Sequence, residues 1–333
     1  MASLGLAFFL SVVLARMVMA AGILDHPNAR SSHAAPTPRG GGLGAVAAIG
    51  MAWCFLPHLP PVDGAALAGV ALLGGIATGL GLLDDLFTLS ERLKFVVLSA
   101  LSLALAMMAG PVLDIGLVLP VWLGLLGSAL WVFTLANAIN FMDGTDGLLA
   151  ACLIPACLAL GLVLDGPSGL AAWAVAAAVA GFAVWNAPLL RARGRLFCGD
   201  AGSLGLAIIL AGLSLLAANR GAAGDAWLMP LLFLPLLGDV LLTMAARVRA
   251  RRSPFRAHRA HAYQLMIQLG HSHRRVAVIW GGMSLVCAVW VLVGAQLSGG
   301  LKIALFAVSV AVFAIIHLRI RRQAAAAGLD IYQ

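Results

Sequence analysis

Residues 65–83 read AALAGVALLGGIATGLGLL and run without a break into Asp84-Asp85. A helix of about that length crosses the roughly 30 Å hydrocarbon core of a bilayer. The run shows no alternation of period two, so it reads as a helix and not as a barrel strand. It stops abruptly on two carboxylates, which marks a membrane surface.

Working outward, similar apolar runs fill the chain at about 3–21, 42–58, 93–110, 120–139, 147–164, 169–187, 202–218, 227–246, 276–297 and 301–318. With the first quoted run this makes about eleven transmembrane helices. The expected fold is an all-α polytopic membrane protein. It forms one integral-membrane domain over residues 1–333, with 319–333 as a short cytoplasmic tail. Composition agrees: 62% of residues are hydrophobic and 10% charged, against about 25% charged in soluble domains. The first charge is Arg16, near the end of the first run, so that run reads as a retained span and not a cleaved leader. None of the five cysteines has zinc-type spacing; they read as small hydrophobes, with Cys198 alone beside a polar motif.

The net charge of +8 comes from basic residues in short loops between apolar runs. That pattern marks the cytoplasmic side of a membrane protein, and no nucleic-acid partner is expected. Loops after odd-numbered runs hold 18 of the 21 Lys and Arg; Arg220 and Lys302 fall on the other side, and Arg16 within the first run. The N-terminus is therefore expected in the periplasm and the C-terminus in the cytoplasm of a bacterial inner membrane.

The same loops hold the polar motifs. The first has Arg30, His33 and Arg39 before Gly40-Gly41-Gly42: cations for phosphate, with backbone that approaches a ligand closely, or an ordinary basic loop with a flexible exit. Asp84 and Asp85 repel each other unless a cation sits nearby, and diphosphates arrive with magnesium; a helix cap is the plain alternative. Lys94 faces a phosphate or snorkels. The third loop, Asn137, Asn140, Asp143, Gly144, Thr145, Asp146 and Gly147, has no basic residue. Against the positive-inside trend, that points to function. In the fourth, Asn186 and Phe197 precede Gly199-Asp200-Ala201-Gly202-Ser203. There Asp200 either holds a magnesium ion beside a helix N-terminus or caps the helix, or does both. In the fifth, Ser253-Pro254 reads as a helix start, putting His258 and His261 on one face among Arg256 and Arg259. Asp239, inside the ninth run, is either functional or a structural hydrogen-bond acceptor.

In order, Pro36 to Gly41, Gly81 to Asp85, Asn137 to Gly147, Gly199 to Ser203 and His258 to Gln264 resemble the polyprenyl-phosphate N-acetylhexosamine-1-phosphate transferases. This is the superfamily of MraY and WecA. The resemblance spans most of the chain. It implies a UDP-activated N-acetylated sugar as donor, undecaprenyl phosphate as acceptor, UMP as by-product, and magnesium, or manganese in its place, as cofactor; a homodimer is compatible with it. By resemblance, Asp84 and Asp85 match the acidic pair proposed to deprotonate the acceptor, and Asp200 the metal ligand, with Asp84 beside it. Asn140, Asp143 and Asp146 match the loop used for nucleotide and catalysis, and His258 and His261 the histidine motif near the diphosphate. The peptidoglycan branch carries three successive histidines in that motif, whereas here the two are separated and followed by Ala262-Tyr263-Gln264. That is closer to the WbpL-like branch, which starts O-antigen or other surface glycans. The alternatives are a transferase making the peptidoglycan lipid and, from another class, a membrane transporter or flippase. A transporter would place paired polar sites at broken helices in mid-membrane.

Overall fold

A computed structural model describes residues 2–22, 24–25, 37–56, 61–188, 193–253 and 258–332. Each apolar run becomes helix. The series is α1 (Ala2–Ala21), α2 (Gly41–Trp53), α3 (Pro61–Phe87), α4 (Glu91–Ala109), α5 (Val121–Phe141), α6 (Leu148–Leu164), α7 (Gly166–Asn186) and α8 (Gly199–Arg220). It continues with α9 (Leu228–Leu232), α10 (Leu234–Arg249), α11 (Ala262–Gln268), α12 (His273–Gly294) and α13 (Gly299–Ala326). A two-residue antiparallel pair, Leu24-Asp25 with Thr37-Pro38, closes the ends of the first loop. Among the described residues eight helices are long and apolar enough to cross a membrane, so the chain is an all-α, multi-pass membrane protein.

The expected spans are not equal. The second and sixth are shorter, 13 and 17 residues. The ninth is broken: the α9 side and α10 meet at 80°. Pro235, at the start of α10, explains the break, since it has no N–H to give Leu231 and its ring would strike that carbonyl. The last helix runs on to Ala326, through most of the expected tail.

α8 is the axis of the bundle, buried along nearly its whole length, with α2, α3 and α5 against it. Glycines set these contacts. A Cβ on Gly42 would lie 2.4 Å from Gly202 Cα, and one on Gly81 would lie 2.2 Å from the Asp200 carbonyl oxygen. The helices thus touch backbone to backbone, the close packing that small residues allow in lipid. α1, α2 and α7 pack on one flank and α6 with α12 on another. α13 is largely exposed on the outside.

Candidate active site

The acidic motifs meet at one end of α8. Asp84 and Asp85 lie in the last turn of α3, not in a loop beyond it, and Asp200 lies in the first turn of α8. Asp200 does not cap that helix; the N-cap position is Cys198. The cap is supplied across the helix crossing by Asp85, whose carboxylate accepts the amides of Asp200 (3.3 Å) and Ala201 (3.1 Å). A carboxylate there also meets the positive end of the helix dipole. Arg39 backs it, with Nη1 3.5 Å from Oδ1 and a further bond to the Asp85 carbonyl. Asp84 accepts the Leu89 amide (2.7 Å) and Lys94 Nζ (3.1 Å), and its carboxyl interacts with that of Asp200. Lys94 thus faces the acid pair, with Glu91 also 3.2 Å away.

Asn140, at the end of α5, completes the cluster. Its Nδ2 donates to Asp200 Oδ1 (3.0 Å) and Ser203 Oγ (2.9 Å). Asp143, just beyond α5, accepts the Gly199 amide at 3.0 Å. Burial, and then the Asp200 charge, pushes its carboxyl well above the usual range. Four carboxylates from three chain segments therefore gather here, with Arg39 against Asp85 and Lys94 against Asp84. Gly199, at φ +75°, takes the turn that brings its backbone against Asp85 and Gly40.

Asp146 stands apart. It is buried, accepts the Gly194 amide (3.1 Å), and has Arg193 at 3.8 Å. His273 Nδ1 lies 3.2 Å from both the Asp146 backbone nitrogen and its carboxylate. An Nδ1 without a hydrogen accepts from the amide; an Nδ1–H donates to the carboxylate. Burial pushes the Asp146 carboxyl up, but His273, Gly194 and Arg193 together bring it below its ordinary value.

The histidine motif forms a second layer and differs from its expected shape. Helix α11 begins only at Ala262; His258 is in coil and His261 is the N-cap. The two still face each other, with ring centroids 4.8 Å apart. Burial, then the charges of His261 and Arg247, lowers His258 to about 3. With no anion beside it, the ring is a neutral hydrogen-bonding group at neutral pH. Asp239 is the anchor of this layer. It is fully buried and accepts the amides of Ala262 (2.8 Å) and Tyr263 (3.1 Å) and the Thr243 hydroxyl (3.2 Å). His261 and His317 both lie 3.6 Å from it. These bonds meet the structural reading of Asp239. Tyr263 joins the layers: its hydroxyl donates to the Phe141 carbonyl (3.1 Å) and sits where Gly144 has no Cβ.

The other expected contact residues also take part in bonds and packing within the fold. Asn137 donates to Phe133 O within its own helix (2.8 Å), while Asn186 is buried and bridges Gly147 N and Leu196 O. The Phe197 backbone bonds Gly41 and Pro38, and Gly41 packs on Leu196 and Phe182. Arg259 lies beside the histidines, its carbonyl accepting from Gln268 at 2.8 Å. Arg30, His33 and Arg256 lie outside the described residues. His273 and His317 join the supports of the site without having been singled out from sequence, while Ser203 and Tyr263 stood in the quoted motifs but were given no role of their own.

Among the described residues no three His, Cys, Asp or Glu side chains surround one point as a metal cage would. Magnesium, however, is usually held by one or two carboxylates plus substrate phosphates. The facing pair Asp84 and Asp200, within an excess of negative charge, fits that need.

Residues 67–218, which hold the acid cluster and Asn140, match Glycosyl transferase family 4. The chain is 32% identical over 301 residues to the decaprenyl-phosphate N-acetylglucosaminephosphotransferase of Mycobacterium leprae, covering 78% of this chain and 74% of that protein. It is 28% identical over 271 residues to the undecaprenyl-phosphate alpha-N-acetylglucosaminyl 1-phosphate transferase of Escherichia coli K12, covering 78% and 72%. Likeness of this extent, running through the helices that build the acid cluster, makes the chain a member of glycosyl transferase family 4, within the polyprenyl-phosphate N-acetylhexosamine-1-phosphate transferase superfamily.

Proposed function

We propose that this protein transfers an N-acetylated sugar-1-phosphate from a UDP-sugar to undecaprenyl phosphate, releasing UMP and starting an O-antigen or other surface glycan. The site would open on the cytoplasmic face of the inner membrane, where a soluble donor arrives from water and a lipid acceptor from the bilayer. The observation that carries this reading is the convergence of Asp84, Asp200 and Asn140 from three helices at one end of the bundle.

The physical problem is to join two anions. The acceptor's phosphate attacks the β-phosphorus of the donor, and the bond to the UMP oxygen breaks. A phosphomonoester has its second pKa near 6, so the acceptor is mostly dianionic at neutral pH. Removing a proton is then the smaller task, and holding charge the larger. Asp85 has both oxygens on the amides of α8, so it sets the position of Asp200 and leaves any proton transfer to Asp84. Asp200 and Asp84 would hold magnesium, which when bound supplies positive charge against the diphosphate. Asn140 orients Asp200, and Lys94 adds a cation beside Asp84. His258 and His261, in the layer tied to the cluster by Tyr263, would meet the donor's diphosphate.

A transporter would also use a broken helix, and one is present at Phe233. The polar group beyond it, Asp239, is closed in by two amides, a hydroxyl and two imidazoles, which favours the enzyme.

The test is UMP release by purified protein given undecaprenyl phosphate, magnesium and a panel of UDP-N-acetylhexosamines. UDP-N-acetylglucosamine comes first because the relatives above are named for that sugar, and other UDP-N-acetylhexosamines follow. Release should stop with EDTA, and Asp200→Asn should lower kcat by about 100-fold or more. Silence with every donor, in protein that melts cooperatively, would overturn the reading.

A further inference from the structure

A basic pocket lies on the α1 side of the same end, apart from the acid cluster. Arg16 of α1 and Arg195 both lie against Trp185 at the end of α7, with guanidinium carbons 6.0 and 5.9 Å from the ring centre. Trp185 is fixed: its indole N–H donates to Val12 O at 2.9 Å, and its backbone carbonyl accepts the Arg195 amide at 2.8 Å. The two cations border a cavity of about 450 Å³ lined also by Met19, Thr37, Pro38 and Gly194. Both arginine side chains are exposed, and among the described residues neither has a carboxylate partner. Attraction to the indole holds each cation beside the cavity that both line, where one anion can meet the two of them.

The position says which anion. Arg16 is five residues before the end of α1, or about 7.5 Å down the helix axis. That is the depth of headgroups, where an interfacial Trp also belongs. Basic pockets between membrane helices take phosphate headgroups in this way. The pocket also adjoins the site, because the amide of its Gly194 is bonded to Asp146. We propose that this pocket binds the phosphate-ester group of an anionic phospholipid, and that occupancy speeds transfer by steadying Gly194 on Asp146. The transfer half rests on the proposed function; the binding half does not.

The test places the full-length protein in nanodiscs of phosphatidylcholine with a minority of phosphatidylglycerol, with no acceptor or donor present. Native mass spectrometry then counts the phosphatidylglycerol retained in detergent. Wild type should retain it. Arg16→Gln with Arg195→Gln should weaken retention by about fivefold per arginine. Equal retention by both proteins overturns the site. Displacement by inorganic phosphate alone would reassign the pocket to a free anion and overturn the lipid. Arg16→Lys with Arg195→Lys keeps the charges but loses the planar stacking, so it should retain less lipid than wild type. It serves as the test if the Gln pair does not fold, and unchanged retention overturns the arginine-on-indole geometry. Finally, transfer by wild type should be several-fold faster with phosphatidylglycerol than in phosphatidylcholine alone, and transfer by the Gln pair equal in both. A wild type indifferent to the lipid would overturn the coupling to Asp146.

Discussion

Asp146 shows how a single carboxylate in the acidic loop can differ from its neighbours. Asp143 is pushed up by burial and nearby acids, whereas Asp146 is brought down by His273, Gly194 and Arg193. A depressed folded pKa means stability that is present above the unfolded value, near 3.9, and is lost as pH falls through the folded one. Thermal melting should therefore drop on acidification, and Asp146→Asn should flatten that drop. At neutral pH the same variant should lose roughly 1.5–3 kcal/mol, the worth of a charge-assisted hydrogen bond. A melting curve with the wild-type acid slope would show that Asp146 carries none of it. At this scale the sequence was informative where chemistry is local. Asp84, Asp200 and Asn140 stood out by motif and do meet. It was silent on His273, whose partner is 127 positions away and which reads by itself as one more polar residue before an apolar run. Asn186 was legible as a candidate, but its two backbone bonds were not, because the partners lie on separate loops.

The elements around the histidine layer are held by two buried arginines. Arg321 of α13 donates to the Ala260 carbonyl (2.9 Å), between the two histidines, and to the Ile331 carbonyl (2.7 Å). Arg247 of α10 donates to Ser253 O (2.8 Å) and to the Tyr332 carbonyl. Residues 327–332 so turn back as a strap, with Arg321 over the Tyr332 ring at 5.3 Å. Arg321→Ala should lower kcat/KM by about 100-fold through misplacement of the histidines, with the helical circular dichroism unchanged and Arg321→Lys recovering part of the loss. Full activity in Arg321→Ala would mean that Asp239 alone positions the loop. None of this was legible beforehand. Arg321 read as a tail residue because the apolar run ends at about 318, yet the helix continues and seats it under the loop. The helical start expected at Ser253-Pro254 runs into residues 254–257, outside the described residues; within them, α11 begins at Ala262, where Asp239 accepts the amides of Ala262 and Tyr263.

For the molecule as a whole, every expected apolar run became helix, since in lipid the backbone must satisfy itself. Length and composition do not show which helices sit inside, so the central place of α8 was hidden in its glycines. The proposed orientation has a direct check. Cys54 is the exposed one among the five cysteines, at the end of α2 away from the acid cluster. A membrane-impermeant maleimide should label it in spheroplasts; labelling confined to inverted vesicles would reverse the topology. The glycine crossings described above bear on something further. Gly42 against Gly202 and Gly81 against Asp200 leave no side chain to compress or relax, so the spacing of the cluster cannot follow the membrane around it. A thicker or thinner bilayer must be met by tilt of outer helices such as α13. Turnover in lipids of increasing acyl length should accordingly stay flat while the protein's thermal stability shifts with the mismatch.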